Sequence, residues 1–242
     1  TYTIDFDDFE KKAADPRVKL FLLCNPHNPG GRVWTREELT RMGEICIRNG
    51  VYIVADEIHC ELVFPGNIYI PFASLSPEFS SHSVTCNSPS KAFNIAGLQI
   101  ANIIVPDNDM RTRIDRAINI NEVCDVNPFG VEALIAAYNE GEEWLSQLLA
   151  YLKGNDDFMW DFCRQNLPQF PLTRLEGTYL EWMDCKTIGL ASAELEKRLI
   201  DEAGLWLNAG TMYGAEGEGF MRWPRSRLTE GLERFRQYIS SL

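Results

Sequence analysis

Three short segments of this chain carry side chains that could act together on one ligand. Lys91 lies in the sequence SPSKAFN, Asp56 begins the sequence DEIH, and Asn28 lies in the turn NPHNPGG. A lysine amine forms a Schiff base with an aldehyde, a carboxylate pairs with a protonated ring nitrogen, and an amide can donate a hydrogen bond to a phenolic oxygen. These three side-chain types therefore suit a ring compound that carries all three partner groups.

Apolar runs and one helical pattern predict the sheet that would position these groups. The runs 18–24 and 51–55 have the nearly continuous apolar character of strands that are buried on both faces. Between them, Thr35 and Glu38 predict a capping box at the start of an apolar-periodic helix that Gly50 ends. The order strand, helix, strand implies a crossover connection and a parallel sheet.

Two further strands are predicted at 83–86 and 99–105. The link 87–98 barely reaches the length of a parallel crossover, so we expect the fourth strand to be antiparallel to the third, with Lys91 in the connecting turn. Each of the three chemical groups then follows a predicted strand at its carboxyl end, which is where open α/β sheets bind their ligands.

The second half of the chain has a different pattern. Residues 131–138 and 144–167 are apolar with helical spacing, and Gly154-Asn155 predicts a bend or break in the longer helix. Beyond these we predict strands at 179–183, 205–207 and 219–223, a helix at 192–203, and a final helix whose apolar face carries Leu228, Leu232, Phe235 and Ile239.

Together these elements predict an α/β fold with a mostly parallel sheet and flanking helices, plus a smaller α+β C-terminal domain. We expect the large domain at residues 1–140, a connecting helix at 141–167 and the small domain at 168–242. A chain of 242 residues suffices for one large or two small domains.

Composition argues against several classes of function. The formal net charge of −12 argues against a nucleic-acid partner, which requires a basic face. No apolar stretch approaches the roughly 20 residues that span a bilayer, so no membrane partner is expected. The seven cysteines are odd in number and lack Cys-x-x-Cys spacing, as is typical of reduced thiols in a cytoplasmic protein. Because the chain has only three histidines, we expect no histidine-based metal site.

Each candidate residue also has an ordinary structural interpretation. A lysine in a loop is usually a solvated charge, but the flanking serines and the apolar residues that follow favour partial burial of Lys91. Asp56 could cap a helix or form a salt bridge, and Asn28 could bond its own backbone in an Asn-Pro turn. His59 fits either a buried structural histidine or a donor to a ring oxygen.

The combination of lysine, carboxylate and amide favours one cofactor. These are the groups that pyridoxal 5'-phosphate requires from its protein, so we expect that compound to bind here. Ser88 and Ser90 offer hydroxyl donors of the kind a bound phosphate needs, although serines are also common in ordinary turns.

Several motifs resemble the class I/II aminotransferase superfamily of fold-type I pyridoxal phosphate enzymes, and within it the cystathionine β-lyase-like branch of carbon–sulfur lyases. The resemblance runs nearly the full length of the chain. Its motifs occur in fixed order at residues 24–34, 55–59, 90–99, 135–138, 177–180 and 217–222.

The resemblance implies a role for each candidate residue. Cofactor contacts would come from Asn28, Asp56, His59, Ser88, Ser90 and Lys91. Lys91 would hold the cofactor through a Schiff base and act as the catalytic base. Arg222, which by itself would be taken for a surface arginine, would bind the α-carboxylate of the substrate.

Within the cofactor site, the resemblance also implies which group each side chain would meet. Asp56 would pair with the pyridine nitrogen, whereas Asn28 would bond the ring oxygen. Ser88 and Ser90 would contact the phosphate.

The chain departs from the family pattern in three places. His59 stands where many aminotransferases have a tyrosine, and Gln99 where many have a phosphate-binding arginine; both substitutions favour the lyase branch. Arg222 is followed almost at once by Pro224, where the family has several more residues. The family also carries a long segment before the position of Thr1, so we expect this chain to be the C-terminal portion of a longer enzyme.

The resemblance implies a pyridoxal phosphate-dependent carbon–sulfur β-lyase that cleaves L-cystathionine or a related cysteine S-conjugate to a thiol, pyruvate and ammonia. An aminotransferase of an L-amino acid is an alternative because it would use the same residues. A non-catalytic regulatory protein that retains the fold is a second alternative. We expect a small sulfur-containing substrate, a cytoplasmic homodimer of the full-length protein, and no activity from these 242 residues alone.

Overall fold

The computed structural model describes residues 2–123, 125–224 and 228–241. They form two compact units. The sheet unit comprises Thr3–His27 and Val33–Gln147, and the C-terminal unit comprises Asn28–Arg32 and the described residues from 148 onward, together with Tyr2. The three-part domain division at residues 140 and 167 stays a prediction.

The sheet unit is built on four strands in the order β1-β2-β3-β4. Strands β1, β2 and β3 are parallel, and β4 is antiparallel to β3. This arrangement confirms the predicted mostly parallel sheet and the antiparallel fourth strand. The elements in chain order are α1 (Phe6–Ala13), β1 (Leu20–Cys24), α2 (Arg36–Arg48), β2 (Tyr52–Asp56), α3 (Pro77–Ser81), β3 (Ser83–Asn87), β4 (Asn102–Ile104), α4 (Asn108–Ile120) and α5 (Pro128–Glu140).

Helix α2 begins and ends as its sequence predicts. The Thr35 side chain accepts a hydrogen bond from the Glu38 backbone, and the Glu38 side chain accepts one from the Thr35 backbone, which confirms the capping box. The buried face of α2 packs against one face of the sheet, where Leu23 and Ile53 point into a shared core. Helices α1 and α4, capped by Asp5 and Asp107, were not predicted.

The prediction that β1 is buried on both faces is wrong. Leu20 and Leu22 are 54% and 61% exposed, whereas Leu23 of the same strand, which packs in the core with α2, is 2% exposed. Successive side chains of a strand point to opposite faces of the sheet, and the α2 core covers only one of them. A continuous apolar run therefore predicts a strand here, but it does not predict whether the described residues cover one face of the strand or both.

The C-terminal unit surrounds a second sheet in the order β5-β7-β6, with both pairs antiparallel. Its core includes Met159, Leu199, Trp223, Leu232 and Phe235. The elements are α6 (Glu142–Asn166), which begins in the sheet unit, followed by β5 (Leu180–Asp184), α7 (Ser192–Ala203), β6 (Asn208–Ala209), β7 (Phe220–Pro224) and α8 (Leu228–Ser241).

Two predictions for this half of the chain need correction. Helix α6 runs through Gly154 without a break, because Leu152 and Met159 on its buried face stay in helical register. The strand expected at 205–207 begins only at Asn208. The Leu205 N–H instead donates to Leu199 O at 2.9 Å and closes the end of α7.

Candidate active site

The carboxyl ends of β2 and β3 bring the predicted cofactor residues of the sheet unit to one edge. Asp56 is the last residue of β2 and pairs with Cys86 of β3. Asp56 Oδ1 accepts a hydrogen bond from Ile58 N at 3.2 Å, and in the described part of the chain no lysine or arginine pairs with this carboxylate. Asp56 therefore keeps its charge available for a cationic ligand group such as a protonated ring nitrogen.

Hydrogen bonds within the loop that carries Lys91, and one from a distant tryptophan, fix its backbone. Lys91 lies half-buried in the turn after β3, and the next residue, Ala92, is fully buried. The Trp144 indole donates from Nε1 to Ala92 O at 3.1 Å. A backbone bond from Phe93 N to Pro89 O at 2.9 Å closes the turn. These contacts fix the backbone around the lysine, while no carboxylate of the described chain forms an ion pair with its amine.

The two serines beside Lys91 differ in what they contact. Ser88 is buried, and its hydroxyl donates to Ile100 O at 2.6 Å and accepts from Ser90 N at 3.1 Å. Its single proton thus holds the loop to the segment before β4. The Ser90 hydroxyl bonds to no described residue and remains free to donate. Phosphate contact by either serine stays a prediction.

A buried carboxylate next to Asp56 anchors the segment that contains His59. Glu57 Oε1 accepts from Phe72 N at 2.9 Å, and Glu57 Oε2 accepts from the Tyr69 hydroxyl. Burial raises the pKa of Glu57, and the two hydrogen bonds oppose that rise. His59 is only 3% exposed within this segment. Sequence reasoning gave Glu57 no role, because its partners lie in a loop with no recognisable pattern.

Asn28 lies in the C-terminal unit, in a turn whose backbone is hydrogen-bonded to residues 176 and 177. The Asn28-Pro29 peptide bond is cis. Gly31 has a φ of +68°, which favours glycine, and its carbonyl accepts from the N–H groups of Glu176 at 2.8 Å and Gly177 at 3.2 Å. Asn28 Oδ1 is buried without a hydrogen-bond partner among the described residues. A buried, unpartnered amide atom fits a contact with a bound ligand.

Arg222 occupies the central strand of the C-terminal sheet. On β7 it pairs with Trp182 of β5 on one side and Asn208 of β6 on the other. Arg222 Nη2 donates to Asn208 Oδ1 at 2.7 Å, and the guanidinium carbon lies 5.0 Å from the centre of the Tyr213 ring. Burial raises the pKa of Tyr179 and Tyr213, and the positive charge of Arg222 opposes both rises.

The residues nearest Arg222 include two that sequence reasoning missed. Asn208 follows a predicted strand but lies in no quoted motif, and Tyr213 carries no sequence signal of its own. Their proximity to Arg222 follows from strand pairing. The departure from the family pattern after Arg222, where Pro224 follows almost at once, continues into residues 225–227, which lie outside the described residues.

The predicted site residues thus fall into two groups. The sheet unit holds Asp56, His59, Ser88, Ser90 and Lys91, and the C-terminal unit holds Asn28 and Arg222. The amine of Lys91 and the carboxylate of Asp56, both in the sheet unit, fit the aldehyde and the ring nitrogen of pyridoxal phosphate. The contact between Asn28 and the ring oxygen stays a prediction, because the amide NH2 group of Asn28 would have to donate that hydrogen bond, and the unpartnered Oδ1 is an acceptor.

The described residues do not form a metal site or a membrane-spanning helix. They contain no group of three or more histidine, cysteine, aspartate or glutamate side chains that could hold a metal ion. None of the helices in these ranges is long and apolar enough to cross a membrane. The six cysteines that the structure describes are all free thiols.

Comparison with known proteins gives a consistent set of relatives. The family model for aminotransferase class I and II matches residues 1–231. Cystathionine beta-lyase PatB of Bacillus subtilis is 44% identical over 99% of this chain and 63% of its own length. Protein MalY of Escherichia coli is 33% identical over 94% of this chain and 59% of its own length.

A solved structure agrees with these relatives. Cystalysin from Treponema denticola, whose crystal structure contains a pyridoxal 5'-phosphate cofactor, superposes with a TM-score of 0.95 at 32% identity over the whole of this chain and 62% of its own. The present chain therefore shares its fold, and it spans less than two thirds of the length of the relatives it matches.

Proposed function

This chain belongs to the aminotransferase class I and II family, and from that premise we propose that the complete protein carrying it is a pyridoxal phosphate-dependent carbon–sulfur β-lyase. The observation that carries the proposal is the placement of Asp56 and the Lys91 loop at the carboxyl ends of the adjacent parallel strands β2 and β3. The identity of the relative PatB as a cystathionine β-lyase supports the choice of reaction.

In this proposal the chain's own residues divide the work between binding and proton transfer. Pyridoxal phosphate, when bound, supplies a ring that withdraws electrons from the α-carbon of the substrate. Asp56 holds a proton on the ring nitrogen, which maintains that withdrawal. Lys91 Nζ takes the α-proton as general base. Arg222 binds the α-carboxylate through its planar guanidinium and so orients the bond that is broken.

The proposed substrate is L-cystathionine or a related cysteine S-conjugate. The Cβ–S bond breaks with its electron pair on sulfur, the thiol accepts a proton, and water completes the reaction. L-Cystathionine and water thus give homocysteine, pyruvate and ammonia. His59 and Gln99 support this outcome over transamination, because they occupy positions where many aminotransferases have tyrosine and arginine.

The setting of the reaction is part of the proposal. We infer that the complete protein acts as a homodimer in the cytoplasm, on a small sulfur-containing amino acid. The odd number of cysteines supports a reducing compartment.

The test is to incubate the complete protein with pyridoxal phosphate and L-cystathionine, and to measure pyruvate and thiol release with and without an added keto acid. Release that needs no keto acid supports the lyase. Amino-group transfer that depends on a keto acid, without thiol release, overturns the lyase in favour of the aminotransferase. Failure to develop the absorbance of lysine-bound pyridoxal phosphate would overturn both and favour the non-catalytic alternative.

A further inference from the structure

Arg222 is held by uncharged partners. Its guanidinium contacts the Asn208 amide oxygen, 2.7 Å from Nη2, and the ring of Tyr213, 5.0 Å from the guanidinium carbon. Its Nε is buried without a hydrogen-bond partner in the same ranges. An arginine in such surroundings usually pairs with a carboxylate. Within the described chain Arg222 has none, so its positive charge is not neutralised.

The sheet register explains why Asn208 meets Arg222. The two residues are direct partners across the antiparallel strands β6 and β7. Side chains of directly paired residues lie on the same face of a sheet and within contact distance. On the other side of β7, Arg222 pairs with Trp182, which stacks on Phe220 at 5.1 Å. The strand that carries the arginine is thus fixed from both sides.

We propose that Asn208 and Tyr213 are positioning residues that hold the Arg222 guanidinium ready for a carboxylate while leaving its charge intact. The amide oxygen accepts one N–H and fixes the plane of the guanidinium without adding a negative charge. The Tyr213 ring interacts with the cation through its electron-rich face. The remaining N–H donors then serve an incoming carboxylate. This inference rests on the proposed function, in which Arg222 binds the α-carboxylate of the substrate.

A purely structural role for Asn208 makes the opposite prediction for one substitution. If Asn208 only tied β6 to β7, then Asn208→Asp would preserve or strengthen the tie, because aspartate also accepts a hydrogen bond from arginine. If Asn208 instead keeps the charge of Arg222 free, the same substitution supplies an internal carboxylate that competes with the ligand. The variant has nearly the same shape as asparagine, so it separates charge from packing.

The experiment measures binding of 3-mercaptopropionate to the cofactor-free complete protein by isothermal titration calorimetry. This compound has a carboxylate and a thiol but no amine, so its binding does not depend on a bond to pyridoxal phosphate. Cysteamine, which lacks the carboxylate, is the matched ligand control. Asn166→Asp, at an exposed position at the end of α6, is the matched variant control because it adds the same charge.

We expect Asn208→Asp to raise the Kd for 3-mercaptopropionate at least about tenfold, without lowering the thermal midpoint of the protein. Asn166→Asp should leave this Kd at its wild-type value, and cysteamine should bind no more weakly to Asn208→Asp than to wild type. An unchanged Kd in Asn208→Asp would overturn the inference. So would failure of the wild-type protein to bind 3-mercaptopropionate, because a preset guanidinium requires no cofactor.

Tyr213 is tested by a pair of substitutions. Tyr213→Leu removes the aromatic face and should raise the Kd several-fold. Tyr213→Phe restores the ring without the hydroxyl and should recover most of that affinity. Equal losses in the two variants would assign the effect to the hydroxyl and overturn the role of the ring.

The loaded enzyme then distinguishes this inference from the proposed function. With L-cystathionine as substrate, Asn208→Asp should raise KM much more than it lowers kcat, because the lost interaction is made with the bound substrate in every state. If the wild type shows no lyase turnover but the calorimetric results hold, the proposed reaction fails and the carboxylate site remains. If turnover is present but KM and Kd are unchanged in Asn208→Asp, the inference fails by itself.

Discussion

Gly210 and Gly217 approach each other so closely that a Cβ atom on either would lie 2.1 Å from the carbonyl oxygen of the other. Gly210 directly follows β6, and Gly217 lies shortly before β7. Because neither residue has a side chain, the two ends of the segment that connects β6 to β7 can lie in direct backbone contact. This contact therefore supports the strand register in which Asn208 faces Arg222.

The first prediction concerns this close approach. Gly210→Ala should lower the free energy of unfolding by about 1–3 kcal/mol, because the new methyl group meets backbone atoms that cannot move aside separately. Calorimetric unfolding of the complete protein measures the change. Gly154→Ala is the control: it lies at an exposed position inside α6 with no atom within 4 Å of its Cβ, and it should stabilise by about 0.5–1 kcal/mol. Equal effects of the two substitutions would contradict the close contact.

The second prediction concerns Lys91. Lys91→Ala should lower turnover of L-cystathionine by at least about 10³-fold, because both the covalent attachment point and the proposed general base are removed. Pyridoxal phosphate should still bind through the remaining contacts but without the absorbance of the lysine-bound form. Lys197→Ala, which removes an exposed lysine paired with Asp201 at 2.6 Å, is the matched control. Pyruvate release by Lys91→Ala at the wild-type rate would refute the assignment.

The third prediction concerns Asp56. Asp56→Asn keeps the shape of the side chain and its acceptor for Ile58 N but removes the charge that would hold a proton on the ring nitrogen. We expect turnover to fall by about 100-fold or more. Absorbance titration should also show weaker binding of pyridoxal phosphate. The control is Asp201→Asn on the exposed face of α7, and comparable losses in both variants would remove the special role of Asp56.

The fourth prediction is a pH dependence of stability. Burial raises the pKa of Glu57 in the folded protein above its ordinary value of 4.5, so the folded state binds this proton more tightly than the unfolded chain does. The resulting stabilisation is complete below the unfolded-state pKa and is lost as the pH rises through the folded-state pKa. Glutamine does not titrate and can still bond Tyr69 and Phe72. Glu57→Gln should therefore gain stability relative to wild type as the pH rises above about 4.5.

Denaturant unfolding of the two proteins at a series of pH values tests this sign. Glu44→Gln, at an exposed position on α2, is the control whose stability difference from wild type should stay nearly constant over the same pH range. A difference for Glu57→Gln that shrinks or reverses with rising pH would show that the folded-state pKa of Glu57 is not raised.

Local sequence patterns predicted much of the structure of the sheet unit. The capping box of Thr35 and Glu38 predicted the start of α2, and the short link after β3 predicted that β4 would be antiparallel. These features depend on residues that are close in the chain, so a local pattern suffices to predict them. The exposure of Leu22 was missed because it depends on which face of the sheet other elements cover.

The sequence by itself determined the four strands of the sheet unit and the helix α2, and it placed Asp56 and Lys91 after successive strands, since backbone propensity and side-chain periodicity act over a few residues. Only the tertiary structure decided that Glu57 bonds Phe72 and that Asn208 faces Arg222. Those contacts join residues 14 or 15 positions apart. They arise from strand register and loop closure, which local propensity does not encode.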